Sequence, residues 1–126
     1  MSTGLTLDTG ALIALDRGDR NVAFLIRRAL EREIEIAVPA GVVAQAWRDG
    51  RKQVHLARLL GASRVQVEAL DDGRARAAGQ LCGTTKTRDI VDASVVLCAR
   101  NRAHTVVTSD AADIRRLDAQ LLLITV

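Results

Sequence analysis

The sequence is poor in aromatic residues. Phe24 and Trp47 are the whole set, and there is no tyrosine. That works against functions built on base stacking, such as sequence-tolerant single-strand binding or a recognition sheet. Two cysteines, Cys82 and Cys98, make no disulfide framework. On apolar helix faces they read as small buried hydrophobes. His55 and His104 are the only histidines, and neither sits in a triad-like context. A nucleophile activated by histidine is therefore not expected, and no His-rich or Cys-rich spacing suggests zinc. The longest uncharged stretch, residues 36–47, is too short to span a membrane as a helix. No basic start followed by an apolar run opens the chain, so no secretory signal and a cytoplasmic location are expected.

What the chain does have fits one α/β domain. It contains 126 residues, 48% hydrophobic and 26% charged, an ordinary globular balance. Pro39 is its single proline, and no linker, repeat or low-complexity segment divides it. Charge is spread evenly: residues 1–63 carry 9 basic and 7 acidic groups, and residues 64–126 carry 9 and 8. A single domain over residues 1–126 is expected. The net charge of +3 permits a nucleic-acid partner without demonstrating one.

Short apolar runs alternate with helical patterns. Leu5-Thr6-Leu7 reads as a strand, followed by an apolar helix over 11–15. Asp19 or Asn21 can cap a second helix carrying Val22, Leu25, Ile26, Ala29 and Leu30 at helical period. Ile34, Ile36 and Val38 alternate as a strand. Pro39 can open the helix of Val42, Val43, Ala46 and Trp47. A further helix is expected over 51–60, a strand at Val65 and Val67, then helices started by Asp71 or Asp72 and by Asp89. Residues 104–108 and 121–126 read as strands around a short helix with Ile114 and Leu117. Such alternation predicts a parallel sheet covered on both faces, a three-layer α/β/α fold. Ligands of open α/β sheets bind outside the carboxyl ends of the strands.

Carboxylates collect at those ends. Asp8 closes the first strand and Asp110 the fourth, while Asp89 and Asp92 share one face at a helix start. Four like charges at one edge repel unless a cation neutralises them. Oxygen-only ligands favour Mg²⁺ or Mn²⁺. A second reading stands beside this one: Asp89-x-x-Asp92 and Asp110-x-x-Asp113 also fit helix caps with an acid in the first turn. Asp8 differs, because Thr9 can cap the helix behind it and leave Asp8 free.

These residues resemble a known family. Residues 7–15 (LDTGALIAL) resemble the opening of PIN-domain proteins. Residues 89–99 (DIVDASVVLCA) resemble their third acidic motif, and residues 106–114 (VVTSDAADI) their fourth. Order, spacing and length agree over essentially the whole chain, and the nearest likeness is to VapC-like toxins of bacterial toxin–antitoxin pairs. The resemblance implies a PIN-like fold and a Mg²⁺- or Mn²⁺-dependent ribonuclease. It implies Asp8, Asp92 and Asp110 as metal-binding acids, with Thr108, Ser109 and Thr9 as hydroxyl support and Asp89 and Asp113 as accessory acids. It also implies a homodimer and a small antitoxin over the acidic pocket. One position departs from the pattern: where the family carries a Glu on the helix after the second strand, this chain has Gln45. Either Asp89 supplies the missing charge or the domain is a non-catalytic binding module.

RNA approaching an acidic pocket needs surrounding cations. Arg48, Arg51, Lys52, Arg58, Lys86 and Arg88 are the candidates, since such contacts position a strand without reading it. A solvated helix face is the competing role. A phosphoacceptor signalling domain also uses strand-end acids, but it needs a Lys after the last strand, and Lys52 and Lys86 are the only lysines here.

Overall fold

In the computed structural model, which describes residues 3–126, five strands and seven helices alternate along the chain. They are β1 (Gly4–Leu7), α1 (Thr9–Asp16), α2 (Arg20–Glu31), β2 (Glu35–Pro39), α3 (Ala40–Ala46) and α4 (Val54–Gly61). Then come β3 (Val65–Glu68), α5 (Asp72–Thr85), α6 (Ile90–Arg102), β4 (Thr105–Thr108), α7 (Ala111–Leu117) and β5 (Leu123–Thr125). All pairings are parallel, in the order β3-β2-β1-β4-β5. The three-layer α/β/α architecture expected from the alternation is present.

The layers follow from chain direction. From β1 the chain steps outward to β2 and β3, and right-handed crossovers place the intervening helices on one face. It then jumps across the sheet to β4 and moves on to β5, which places α5, α6 and α7 on the other face. The helix contacts agree: α1 packs with α2 and α4, and α6 packs with α5 and α7. The strand order reverses between β1 and β4, so their carboxyl ends frame a crevice.

Both sheet faces are covered. All four residues of β1 are buried, as are all four of β4. Leu5 and Leu7 join the main apolar cluster, with Ile36, Val38 and Val107. Each fully buried aliphatic side chain among them contributes roughly 1.5–3 kcal/mol. Thr6 faces the other way, where its hydroxyl lies 3.0 Å from Nδ1 of the buried His104. Both cysteines are free and buried. No helix among the described residues is long and apolar enough to cross a membrane.

Several boundaries differ from expectation: the first helix, expected over 11–15, is Thr9–Asp16, the last strand, expected over 121–126, is Leu123–Thr125, and two more have a visible local cause. The helix expected from residue 51 begins at Val54. Arg51 and Lys52 lie in a turn, because Gln53 Oε1 accepts from the Arg48 and Asp49 amides at 2.6 and 3.0 Å and holds that loop. β4 begins at Thr105, one residue later than expected, after Ala103 ends α6 in the left-handed conformation.

Candidate active site

Asp8 leaves β1 in extended conformation and caps α1, accepting from the Ala11 amide at 2.8 Å. The expectation that Thr9 caps this helix is corrected. The Asp8 side chain already reaches the orphan amide, and Asp leads Thr as a cap. Asp8 is only 4% exposed. Burial raises its pKa, the neighbouring Asp110 charge adds to this, and hydrogen bonds from the Thr108 hydroxyl and from the backbone at Ala11 and Ser109 oppose it. The Thr108 hydroxyl also accepts from the Asp110 amide at 2.8 Å. One threonine at the end of β4 thus ties two acids of different strands together.

The chain passes very close to itself here. A Cβ built on Gly10 would lie 1.7 Å from Ser109 Oγ and 2.7 Å from Ser109 Cβ. Only glycine lets the start of α1 seat against the end of β4.

The remaining acids come from α6 and α7. Asp89 caps α6, accepting from the Asp92 amide at 2.9 Å, and Asp110 caps α7, accepting from the Asp113 amide at 3.3 Å. Capping and crowding hold together, so the two readings of these residues are not exclusive. Asp92 stands between the groups. Burial, then the charges of Asp89, Asp8 and Asp113, push its carboxyl up to about 7. Asp113 is raised by its hydrogen bond with Asp110 and by the charges of Asp110 and Asp89. The repulsion closes a ring, Asp8–Asp92–Asp113–Asp110–Asp8.

Beside this ring lies an open cleft of about 160 Å³. Asp89, Asp92 and Asp113 line it together with Lys86, Arg88 and Arg116. Arg88 is thus where the sequence places it. Arg48, Arg51 and Lys52 line no part of this cleft. The Arg48 guanidinium folds back onto the Ala44 and Trp47 carbonyls at 3.1 and 2.7 Å, and Arg51 pairs with Asp49 at 3.4 Å. Arg116 is a cleft residue the sequence reading missed. Its signal was its place three residues after Asp113 on one helix face. Gln45 is exposed, and its Oε1 accepts a short hydrogen bond from the Thr9 hydroxyl, next to Asp8.

Among the described residues no three His, Cys, Asp or Glu side chains already form a metal cage. The donor set still fits a divalent cation. Every donor in the ring is an oxygen, and mutual repulsion is the cost a cation relieves.

A sequence profile described as PIN domain matches residues 5–120. The chain belongs to the PIN-domain family. Solved structures share the fold of this PIN domain. A toxin–antitoxin complex from Klebsiella pneumoniae superposes with a TM-score of 0.69 at 18% identity, covering 97% of each chain. VapBC2 from Rickettsia felis, bound to a DNA fragment from its promoter, gives 0.68 at 16% identity, covering 97% of this chain and 98% of that one. VapC20 from Mycobacterium tuberculosis, a sarcin–ricin loop cleaving toxin, gives 0.66 at 18% identity, covering 94% and 97%. No curated protein sequence matches the chain. In this PIN domain the three resembling segments, residues 7–15, 89–99 and 106–114, begin at or run through the carboxyl ends of β1 and β4 and the start of α6.

Proposed function

We propose that this PIN domain is a divalent-metal-dependent endoribonuclease, the toxin component of a type II toxin–antitoxin pair, hydrolysing RNA phosphodiester bonds at the acidic ring. The observation that carries this is the ring itself. Acids from two strand ends and two helices crowd until burial and like charge raise Asp8 and Asp92, and the hydrogen bond and charge of Asp110 raise Asp113. A fold keeps such unrelieved repulsion where a ligand relieves it. PIN-family membership and structural neighbours that are toxins or toxin–antitoxin complexes support the same reading.

Asp8, Asp92 and Asp110 would hold Mg²⁺ or Mn²⁺, with Asp89 as a further ligand. A cation held there would supply water activation and charge stabilisation at the phosphate and leaving oxygen. The chain's own residues do the rest. Thr108 fixes the Asp8 carboxylate and the Asp110 backbone. Asp89 and Asp110 anchor the starts of α6 and α7 and so set the spacing of Asp92 and Asp113. Ser109, Thr9 and Gln45 edge the acids as polar support. Arg88 offers a phosphate contact at the cleft, whereas Arg48, Arg51 and Lys52 line no part of it. A homodimer, a small antitoxin covering the acids and a cytoplasmic location complete the proposal.

The second reading, a non-catalytic binding module, rests on Gln45, which is neutral and engaged with Thr9. One experiment separates the two. A panel of RNAs is incubated with Mg²⁺ or Mn²⁺, with EDTA, and with an Asp8→Asn variant. Cleavage that needs the metal and disappears in the variant establishes the nuclease. Absence of both cleavage and metal binding in folded protein selects the module. Gln45→Glu adds the resolution: unchanged metal affinity and rate would make position 45 chemically idle.

A further inference from the structure

We infer that Arg116, with Arg88 and Lys86, forms a phosphate-positioning wall, so that the RNA strand reaches the acids across the α5–α6 loop and α7. This inference deepens the nuclease reading and rests on it for the identity of the ligand.

The carrying observation is a contrast in pairing. Along α5 and α6 the arginines are neutralised: Arg74 by Glu68 at 3.3 Å, Arg76 by Asp72 at 2.9 Å, and Arg100 by Asp118 at 3.0 Å. In the cleft, three cations share a wall with Asp89, Asp92 and Asp113. Yet Lys86, Arg88 and Arg116 make no ion pair within 4.0 Å among the described residues, although Arg116 feels the Asp113 charge. Their charges are held beside the acids without collapsing onto them.

Such an arrangement suits a ligand that is itself anionic and comes with a cation. The acids take the cation, and the free guanidinium and ammonium groups take the phosphate oxygens. A phosphodiester strand has that chemistry at every step. Arg48, Arg51 and Lys52 lack it. The first is folded onto backbone carbonyls, the second already pairs with Asp49, and none lines the cleft. The α5–α6 and α7 side is therefore the entry for the backbone. Arg116 acts as a positioning residue.

The test measures binding and cleavage separately. Anisotropy of a labelled 12-nucleotide RNA, titrated in EDTA over a range of KCl, gives the salt slope. Removing one cation that neutralises a phosphate of a single strand should lower that slope by roughly 0.7. Arg88→Gln/Arg116→Gln should lower it by about 1.4 and weaken binding at least about tenfold at low salt. Arg51→Gln/Lys52→Gln should leave the slope unchanged. In cleavage with Mg²⁺, Arg116→Gln should raise KM more than it lowers kcat, and Arg116→Lys should restore KM. Thermal melts confirm that each variant folds.

An unchanged slope in the first pair, or an equal fall in both pairs, overturns the inference while leaving the nuclease reading intact. An arginine-dependent slope in a protein that cleaves no RNA overturns the nuclease reading and keeps the wall. A wild-type chain that binds no RNA overturns both.

Discussion

Two clusters of charge sit on this molecule, and they are built from the same acidic chemistry to opposite ends. On one, Glu35 at the start of β2 and Glu68 at the end of β3 meet Arg102 and Arg74. Arg102 Nη1 binds Glu35 Oε1 and reaches Gln66 Oε1 at 2.9 Å, while Arg102 Nε and Arg74 Nη2 lie 3.4 and 3.3 Å from Glu68. Beneath them burial lowers the pKa of His104, against the pull of Glu35. The other cluster is the ring of Asp8, Asp92, Asp110 and Asp113, in which like charges raise Asp8, Asp92 and Asp113 and no ion pair within 4.0 Å forms among the described residues. The first cluster fastens β2, β3, α5 and α6 into one block. The second fastens nothing by charge; its helix-capping bonds would survive without the negative charges. Acids matched with arginine serve the fold, and acids crowded with acids are where the proposed chemistry is assigned.

The sharpest break of that contrast is at Asp8. Asp8→Asn keeps a cap of equal quality over Ala11 and deletes the charge. Cleavage should fall by more than ~100-fold, beyond the range typical of groups that only support a metal ligand. The melting temperature should hold or rise. Asp8→Ala should lose the same activity and also about 1 kcal/mol of stability, the usual value of a cap. Rates beside urea melts of both variants check this. An Asp8→Asn protein that unfolds would move Asp8 into the structural class and end the contrast.

The paired cluster should behave in the opposite way. Arg102→Met leaves Glu35 and Glu68 facing each other. Breaking a buried pair costs about 3–5 kcal/mol, and Arg102 is 25% exposed, so screening reduces the expectation to about 2 kcal/mol. For a domain of this size that lowers Tm by roughly 5–10 °C. The rate per folded molecule should be unchanged. A loss below about 0.5 kcal/mol would class the network with ordinary surface pairs.

The two clusters were not equally legible in the sequence. The acidic ring was, because each member carries a local signal: an Asp ending an apolar strand, or an Asp three residues before another at a helix start. The paired cluster was not. Arg102 lies 67 residues from Glu35 and 34 from Glu68, and no local pattern joins them. The alternation of strands and helices was also local, and it yielded every element in order. Where it slipped, the competing bond was a choice between neighbours or a side chain reaching back. Asp8 and Thr9 could each cap α1 by local rules, and only the fold shows the Asp8 oxygen on the Ala11 amide. Gln53 holds the preceding loop and delays α4 to Val54. The Thr9–Gln45 bond spans 36 residues and places Gln45 beside the acids, which no spacing rule reveals.

The smallest effect tests whether the acidic ring is really unrelieved, and it needs no RNA. Asp92 is raised from 3.8 to about 7 by burial first and by Asp89, Asp8 and Asp113 next. An acid with a raised folded pKa binds its proton more readily folded than unfolded. Between about pH 4 and pH 7 the folded state therefore holds the extra proton, and stability falls as pH rises through that window. Above about pH 7 the full cost is present. Asp92→Asn removes it, so the variant should be more stable than wild type in EDTA. In a fully dry site a rise of that size would correspond to about 4 kcal/mol, but the cleft is open to water, and screening brings the expected gain to about 1–2 kcal/mol. Urea melts from about pH 4.5 to 8 should show the gain growing with pH and levelling off above about 7. A gain independent of pH would be a packing effect, and a loss at every pH would mean that Asp92 makes a stabilising contact of the Arg102 kind. Mn²⁺ supplies the converse: it should stabilise the wild-type chain above about pH 7 and the variant much less, because a cation bound there would do for Asp92 what Arg102 does for Glu35.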